Sequence, residues 1–442
     1  MTTDSAGATQ RSQTYAHYVL FVICLANALN VADRMIVQLL LEPIKRDLHA
    51  SDTVMSILSG ASFVLFYSLF GIPIARWSDR GNRRSILAVG VAVWSVMTAV
   101  CGLAQSFWQM AFARAGVGMG ESTGTPTSLS LISDYYASHA RPRMMAFYQL
   151  TTSAGGLAFA PIIGIVADHY GWRAAFLALG APGLLVALLV RFTIREPQRG
   201  RYDGEAGRNL EAATLRGALR AMWASKPFML ILTGTALTGL GSGVLGGWGS
   251  AIAMRSFHVT ATQIGTISAP IGGVASIIGA LSGGYLTTWF ARRMKDQRWI
   301  IALPATSAAI NVIAGLMYAF APNWPWMIAG GALGGFTNAF RMAPYLALTM
   351  ELVPPNFRGM AAAAGLIATS VIGQAGGPLV VGLISDALAP SMGSLESLRS
   401  AFVFAPIMLF LGIIPFYWTL KYYDRDGLKP SAAISGARAA GI

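Results

Sequence analysis

Mostly apolar runs of eighteen or more residues recur along nearly the whole chain, divided by short polar stretches. A helix of that length crosses a ~30 Å hydrocarbon layer. Twelve such runs lie near 16–41, 53–75, 85–105, 107–135, 143–168, 172–193, 227–254, 262–290, 299–320, 325–352, 359–388 and 398–420. The pattern predicts an all-α membrane protein with twelve transmembrane helices. Residues 1–14 are polar, and the first apolar run is too long for the core of a cleavable leader, so none is expected.

Composition agrees. Of the 442 residues 54% are hydrophobic and 12% charged, and the mean hydropathy is +0.54. A soluble domain carries about a quarter charged residues, so solvated surface is scarce here. The net charge of +13 invites a nucleic-acid reading, but its distribution argues otherwise. With the N-terminus taken as cytoplasmic, 24 of the 32 Lys and Arg fall in the termini and even-numbered loops. The odd-numbered loops hold five (Lys45, Arg46, Arg173, Arg255, Arg399), and three lie inside helices: Arg34, Arg114 and Arg341. This positive-inside bias accounts for the excess, puts both termini in the cytoplasm and leaves no role for nucleic acid. Cys24 and Cys101 form no metal spacing, and the five histidines are scattered. Phosphate-loop, GxSxG and HExxH patterns are absent, so neither an enzyme, a cofactor nor a metal is expected.

The widest polar gap runs from about Thr193 to Lys226, with eight basic residues from Arg191 onward, and divides the runs six and six. Expected boundaries are an N-terminal tail 1–14, a six-helix bundle 15–193, a linker 194–226, a second bundle 227–421 and a tail 422–442. Within the linker, LEAATLRGALRAMW (210–223) has apolar residues at helical spacing with basic ones between, as in a helix lying on the inner leaflet. The halves resemble each other. GVGMGESTGTPTSLSLISDYYASHARPRMMA (116–146) parallels GGFTNAFRMAPYLALTMELVPPNFRGMAAA (334–363), and GGLAFAPIIGIVADHYG (155–171) parallels GGPLVVGLISD (376–386). In the second pair Pro161 and Pro378 each precede a glycine and an aspartate. Two pseudo-symmetric six-helix bundles follow, with a binding site expected near the bilayer midplane between them.

WSDRGNRRS (77–85) resembles the cytoplasmic loop motif of the major facilitator superfamily through Asp79, Arg80, Gly81, Arg83 and Arg84, with Ala75 where that motif has glycine. The corresponding GGYLTTWFARR (283–293) keeps Gly284 and the arginines but has Thr288 for the acid. RAGVGMG (114–120) fits the superfamily's fourth-helix pattern. NxxDR in the first span, FW at 107–108, RAGVGMGES (114–122) and RPRMMAFYQL (141–150) together resemble the Spinster-like branch. That resemblance implies proton-linked movement of lysophospholipids or sphingoid lipids. Organic-anion symporters share the DR pair.

An ionisable side chain at bilayer depth costs at least ~2.5–3.5 kcal/mol unless paired or wet, so each is a candidate for function. Asn27, Asn30 and Arg34 share one helical stripe with Asp33 on its flank, and Arg114 and Glu121 lie seven apart on one face. In the resembled fold the first and fourth helices line one cavity, which lets these four charges meet. Asp33, Glu121 and Arg114 are the proton-coupling candidates: protonating a carboxylate frees an arginine that itself never deprotonates. A static ion cluster pinning two helices is the alternative, and for Arg34 the two readings stand level. Arg34, Asn30, Asn27, Arg341 and Tyr148 are substrate-binding candidates, with Arg34 the first choice for a phosphate or carboxylate head. Arg341 would meet an anionic head or pair with Glu351. Asp79, Arg80, Arg83 and Arg84 are expected to form a cytoplasmic latch. Gly241 and Gly243, in a seventh span with seven glycines, serve either close packing or a gating hinge.

The expected function is alternating-access, proton-coupled transport of an amphiphile. Alternatives are an organic-anion symporter, a hydrophobic drug exporter, or a receptor without transport; sodium coupling stays open. The partners are a small amphiphilic or anionic substrate, protons and membrane lipids. A monomer in the inner (plasma) membrane of a bacterium is expected.

Overall fold

The computed structural model describes residues 3–199, 215–354, 357–424 and 427–428. Almost all of these are helical, because backbone polar groups inside lipid must be satisfied within the segment itself. The first half contains helices Thr3–Leu39, Ser62–Arg80, Arg83–Gly102, Phe107–Glu121, Gly124–Tyr135, Arg141–Tyr170 and Trp172–Thr193. The second contains Lys226–Phe257, Ala269–Met294, Trp299–Ala319, Trp324–Glu351, Arg358–Ile367, Gly377–Met392 and Phe404–Thr419. The second, eighth and eleventh spans each contain a widened π turn, at Ile57–Ala61, Ile264–Ser268 and Ala368–Gly376.

Among the described residues ten helices are long and apolar enough to cross a membrane. The fourth and tenth spans are missing from that set for physical reasons. The fourth is interrupted at Ser122 and Thr123, between Phe107–Glu121 and Gly124–Tyr135. The tenth, Trp324–Glu351, is unbroken, but Asn338 and Arg341 lower its apolar character.

The chain forms two compact units. The first comprises Met1–Ile44, Ser62–Arg208 and Thr260–Thr266; the second comprises Lys45–Ala61, Asn209–Val259 and Ile267–Ile442. Inside the first, the first span packs on the fifth, the second on the fourth, and the third on the fourth and sixth. Inside the second, the seventh packs on the eleventh, the eighth on the tenth, and the ninth on the tenth and twelfth. The pairing scheme is therefore the same in both, as the repeated sequence patterns require. Large apolar side chains such as Phe112, Leu185 and Phe192 in one unit, and Leu281 and Phe410 in the other, remain exposed, as lipid contact demands.

The repeated GxxxD segments perform one job twice. In the first unit the Asp168 carboxylate accepts from the backbone N–H of Ala261 (3.3 Å) and Thr262 (2.7 Å). In the second unit Asp386 accepts from the N–H of Asp52 (2.9 Å) and Thr53 (2.8 Å). Each aspartate satisfies the orphan donors at the start of a helix and favours its positive end. The glycine four residues earlier makes room: a Cβ on Gly164 would lie 2.8 Å from the Ala261 carbonyl carbon, and one on Gly382 would lie 2.7 Å from the Asp52 oxygen.

Linker residues 210–214 lie outside the described residues, and a linker helix runs Leu215–Ala224. Its Ala218, Ala221 and Met222 are buried with Phe228, Ile231, Leu348 and Phe416 of the second unit, while Leu219 and Trp223 stay exposed.

Candidate functional site

The first unit brings four charged side chains together as two crosswise pairs. Asp33 and Arg34 are neighbours on the first span but point to different partners. Arg114 Nη1 donates to Asp33 Oδ2 at 2.9 Å, and both residues are 2% exposed. Thr98 Oγ1 of the third span donates to the other Asp33 oxygen at 2.5 Å. Two turns along the fourth span, Glu121 Oε2 accepts from Arg34 Nε at 2.8 Å. The Arg34 guanidinium also lies 5.0 Å from the Phe63 ring centroid and 4.9 Å from that of Tyr67, and Arg114 lies 5.2 Å from Phe63. Aromatic faces hold a guanidinium without neutralising it.

The two pairs differ in completeness. Asp33 is saturated by Arg114 and Thr98. Glu121 is 1% exposed, and its second oxygen, Oε1, is buried without a hydrogen-bond partner; Arg114 Nε is likewise unpartnered. Arg34 keeps 38% of its side chain exposed. One pair is thus sealed, and the other joins a buried carboxylate with a spare oxygen to a reachable arginine.

Around this cluster Asn27 donates to Thr151 Oγ1 (2.8 Å), Thr152 Oγ1 (3.2 Å) and the Tyr148 carbonyl (3.4 Å), tying the first span to the fifth. Asn30 and Tyr148 are buried. Arg341 sits in the second unit, 3% exposed, and its partners are polar but neutral: Asn338 Oδ1 at 2.6 Å and Ser242 Oγ at 3.4 Å. Pairing with Glu351 is not formed.

The arginines of the cytoplasmic loop are engaged inside the first unit. Arg83 is 1% exposed and pairs with Asp134 and with Glu196 (Nε to Oε1, 2.7 Å). Glu196 also accepts from the Arg84 backbone N–H at 2.8 Å. Arg80 is exposed, and the Asp79 side chain lies outside the described residues. Gly241 and Gly243 sit within the continuous helix Lys226–Phe257. A Cβ on Gly241 would lie 2.7 Å from the Ala405 oxygen, and Gly243 is pressed against the backbone at Gly373, so neighbouring backbone approaches closely at both.

Several participants escape sequence reasoning. Thr98 is an unremarkable hydroxyl in an apolar run. Asp134 and Glu196 could have been sought as rare acids near a basic loop. Asp52 is the clearest omission. In the second unit its buried carboxylate receives Arg255 Nη2 (2.8 Å) and Nη1 (3.1 Å), Lys45 Nζ (2.5 Å) and Ser385 Oγ (2.7 Å). Two of the basic residues assigned to loops by charge counting are therefore ligands of one acid.

The Major Facilitator Superfamily model matches residues 23–313. An MFS-type efflux pump of Mycolicibacterium smegmatis is 28% identical over 424 residues, covering 96% of this chain and 97% of its own. The sphingosine-1-phosphate transporter SPNS2 of Danio rerio is 24% identical, covering 92% of this chain and 84% of its own. Among solved structures, a bacterial homolog of the human lysosomal transporter Spinster, inward-facing and unoccupied, superposes with a TM-score of 0.82 at 25% identity, covering 94% of this chain and 99% of that one.

Proposed function

Because this chain belongs to the Major Facilitator Superfamily, and is an integral multi-pass membrane transporter related to Spinster proteins, we propose that it couples proton movement to alternating-access transport of an amphiphilic lysolipid or sphingoid-type lipid. The observation that carries the reading is the incomplete Arg34–Glu121 pair beside the sealed Asp33–Arg114 pair. A proton added at the spare Glu121 Oε1 removes the negative charge opposite Arg34. Arg34 stays charged, because guanidinium does not titrate in this range, and its fork becomes available to a phosphate or carboxylate. Loss of that proton restores the pair and displaces the anion. Asp33, held by Arg114 and Thr98, is the second coupling carboxylate, and it also fixes the first span against the third and fourth. Asn27, Asn30 and Tyr148 shape the surroundings of Arg34. The Asp79–Arg84 loop and the glycines Gly241 and Gly243 would act in the conformational cycle. The working form is a monomer in a bacterial inner membrane with both termini cytoplasmic.

The test offers a lysophospholipid, a sphingoid phosphate or a compact organic anion to proteoliposomes, with and without a pH gradient. Gradient-driven uptake of the lipids is expected in the parent protein. Glu121→Gln should abolish the response to the gradient while exchange of labelled for unlabelled lipid continues. Gradient-driven uptake that survives in both Glu121→Gln and Asp33→Asn refutes proton coupling through this cluster. Uptake of the compact anion alone transfers the reading to an organic-anion symporter.

A further inference from the structure

The second unit has its own polar centre, chemically unlike that of the first. Gly334, Asn338, Arg341 and Tyr345 form one stripe of the tenth span, at spacings that keep them on a single face. Arg341 Nη2 donates to Asn338 Oδ1 (2.6 Å) and Ser242 Oγ (3.4 Å), and Ser242 Oγ in turn lies 3.4 Å from Asn338 Oδ1. Three further donors are buried without an acceptor: Arg341 Nη1, the Tyr345 hydroxyl and the Asn311 Nδ2. Asn311, 1% exposed on the ninth span, lies opposite Gly334, where an added Cβ would be 3.5 Å from its Oδ1. Among the described residues no carboxylate pairs with Arg341.

A buried cation that meets only neutral oxygens is an incomplete arrangement. Among the described residues the other buried arginines, Arg83, Arg114 and Arg255, each lie opposite a carboxylate. Buried donors are normally paired, and unpaired ones cost free energy. Arg341 Nη1 and the Tyr345 hydroxyl, four residues apart on that stripe, are unused donors beside an uncompensated positive charge, and together they are what an oxyanion satisfies, since each of its oxygens accepts more than one hydrogen bond. We propose that Arg341, with Asn338 and Ser242 orienting it and Tyr345 beside it, is the receptor for an anionic group of the transported molecule, phosphate or carboxylate, and that cargo with a cationic head is rejected there. The proposal rests on the transport reading only in calling the ligand cargo. It gives the anionic group a receptor besides Arg34: Arg34 has its own carboxylate, and Arg341 has none.

Binding is measured on the full chain in nanodiscs with three probes of equal tail: dodecyl phosphate, dodecyl glucoside and dodecyltrimethylammonium. Dodecyl phosphate should raise the melting temperature and bind tightest. In Arg341→Gln the phosphate affinity should fall about tenfold or more, as expected for loss of a charged hydrogen bond, while glucoside binding is unchanged. The same variant without ligand should melt no lower than the parent, because an unpaired buried charge has been removed. A purely structural arginine predicts the opposite: a lower melting temperature and unaltered phosphate preference. Arg341→Lys should retain part of the preference, and Tyr345→Phe should weaken phosphate binding severalfold. If Arg341→Gln does not fold, these two variants decide the matter, and unchanged phosphate binding in both overturns the proposal. Equal binding of the phosphate and trimethylammonium probes to the parent overturns it as well. Absence of gradient-driven transport with the phosphate preference intact would remove the coupling mechanism and leave this site standing.

Discussion

Replacing Asp386 with alanine should loosen the first turn of the second span, and the size of the effect can be worked out from the cap. Two backbone donors, at Asp52 and Thr53, lose a charged acceptor at 2.9 and 2.8 Å. Removing a helix N-cap costs ~0.5–2 kcal/mol, with the upper part of the range reached where water cannot replace the lost oxygen. Asp386 is only partly exposed, which places it near ~2 kcal/mol, whereas the exposed Asp168 belongs near ~1 kcal/mol. If the turn is labelled only when it opens, the labelling rate follows the opening equilibrium, and ~1.4 kcal/mol corresponds to a factor of ten. A cysteine replacing Met55, which is fully buried, should therefore react roughly 30-fold faster in Asp386→Ala than in Asp386 protein. A cysteine replacing Ile264 should react roughly fivefold faster in Asp168→Ala. The native Cys24 and Cys101 are both buried, so their background labelling is slow. Each cap acts inside its own unit, so Asp168→Ala should leave the Met55 position unchanged. A Met55→Cys rate that stays within twofold of its control in Asp386→Ala refutes the reasoning, as does an equal response to Asp168→Ala.

Two further outcomes follow from the same contacts. If the cargo has an apolar tail, competition by single-chain lipids of one head group should tighten about fourfold per added methylene, from ~0.8 kcal/mol each, until the pocket is filled; a flat series refutes the amphiphile. Asp52→Ala removes the carboxylate shared by Arg255 and Lys45 and should lower stability by ~3–5 kcal/mol, while Asp52→Ala with Arg255→Met should recover part of that in thermal unfolding, and strictly additive losses would show that no buried pair is being measured.

The twelve spans were legible because twelve apolar runs of membrane length have few alternatives to helix. The interruption at Ser122 and Thr123 was not, since GESTGTP reads as a tolerable polar patch within a run whose ends are apolar. The meeting of Asp33, Arg34, Arg114 and Glu121 was foreseeable from helix geometry and the resemblance together, but the partner choice was not. Adjacent residues on a helix diverge by about 100°. Which guanidinium serves which acid therefore depends on the rotation of the fourth span, a packing outcome. Sequence order suggested Asp33 as the counter-ion of Arg34, whereas the structure gives it Glu121, eighty-seven positions away. The aspartates of the two GxxxD segments were visible as a repeat, yet nothing local said that they would cap helices 93 and 334 positions distant. Asp52 was hidden for a different reason: charge counting treats Lys45 and Arg255 as solvated loop residues and cannot see that both pair with one buried acid.

The two repeats share a helix-pairing scheme and a capping device, but their polar centres have diverged, and the divergence has a chemical sense. The first unit holds two acids against two bases. A balanced pair containing a carboxylate can change charge with pH, so it can report the proton gradient. Arg341 in the second unit has no acid, and a guanidinium keeps its charge throughout the physiological range. A fixed charge cannot report protons, but it holds an anion equally well at any pH. On the proposals made above, one repeat supplies the switch and the other a constant attraction. The second-half loop likewise has Thr288 where the first-half loop has an acid. Introducing an acid beside Arg341, as Asn338→Asp, makes the point testable. It should neutralise the fixed charge and abolish dodecyl phosphate binding, while the Arg34–Glu121 pair and the melting temperature are preserved. Retained phosphate binding in that variant would mean that the first unit alone selects the anion.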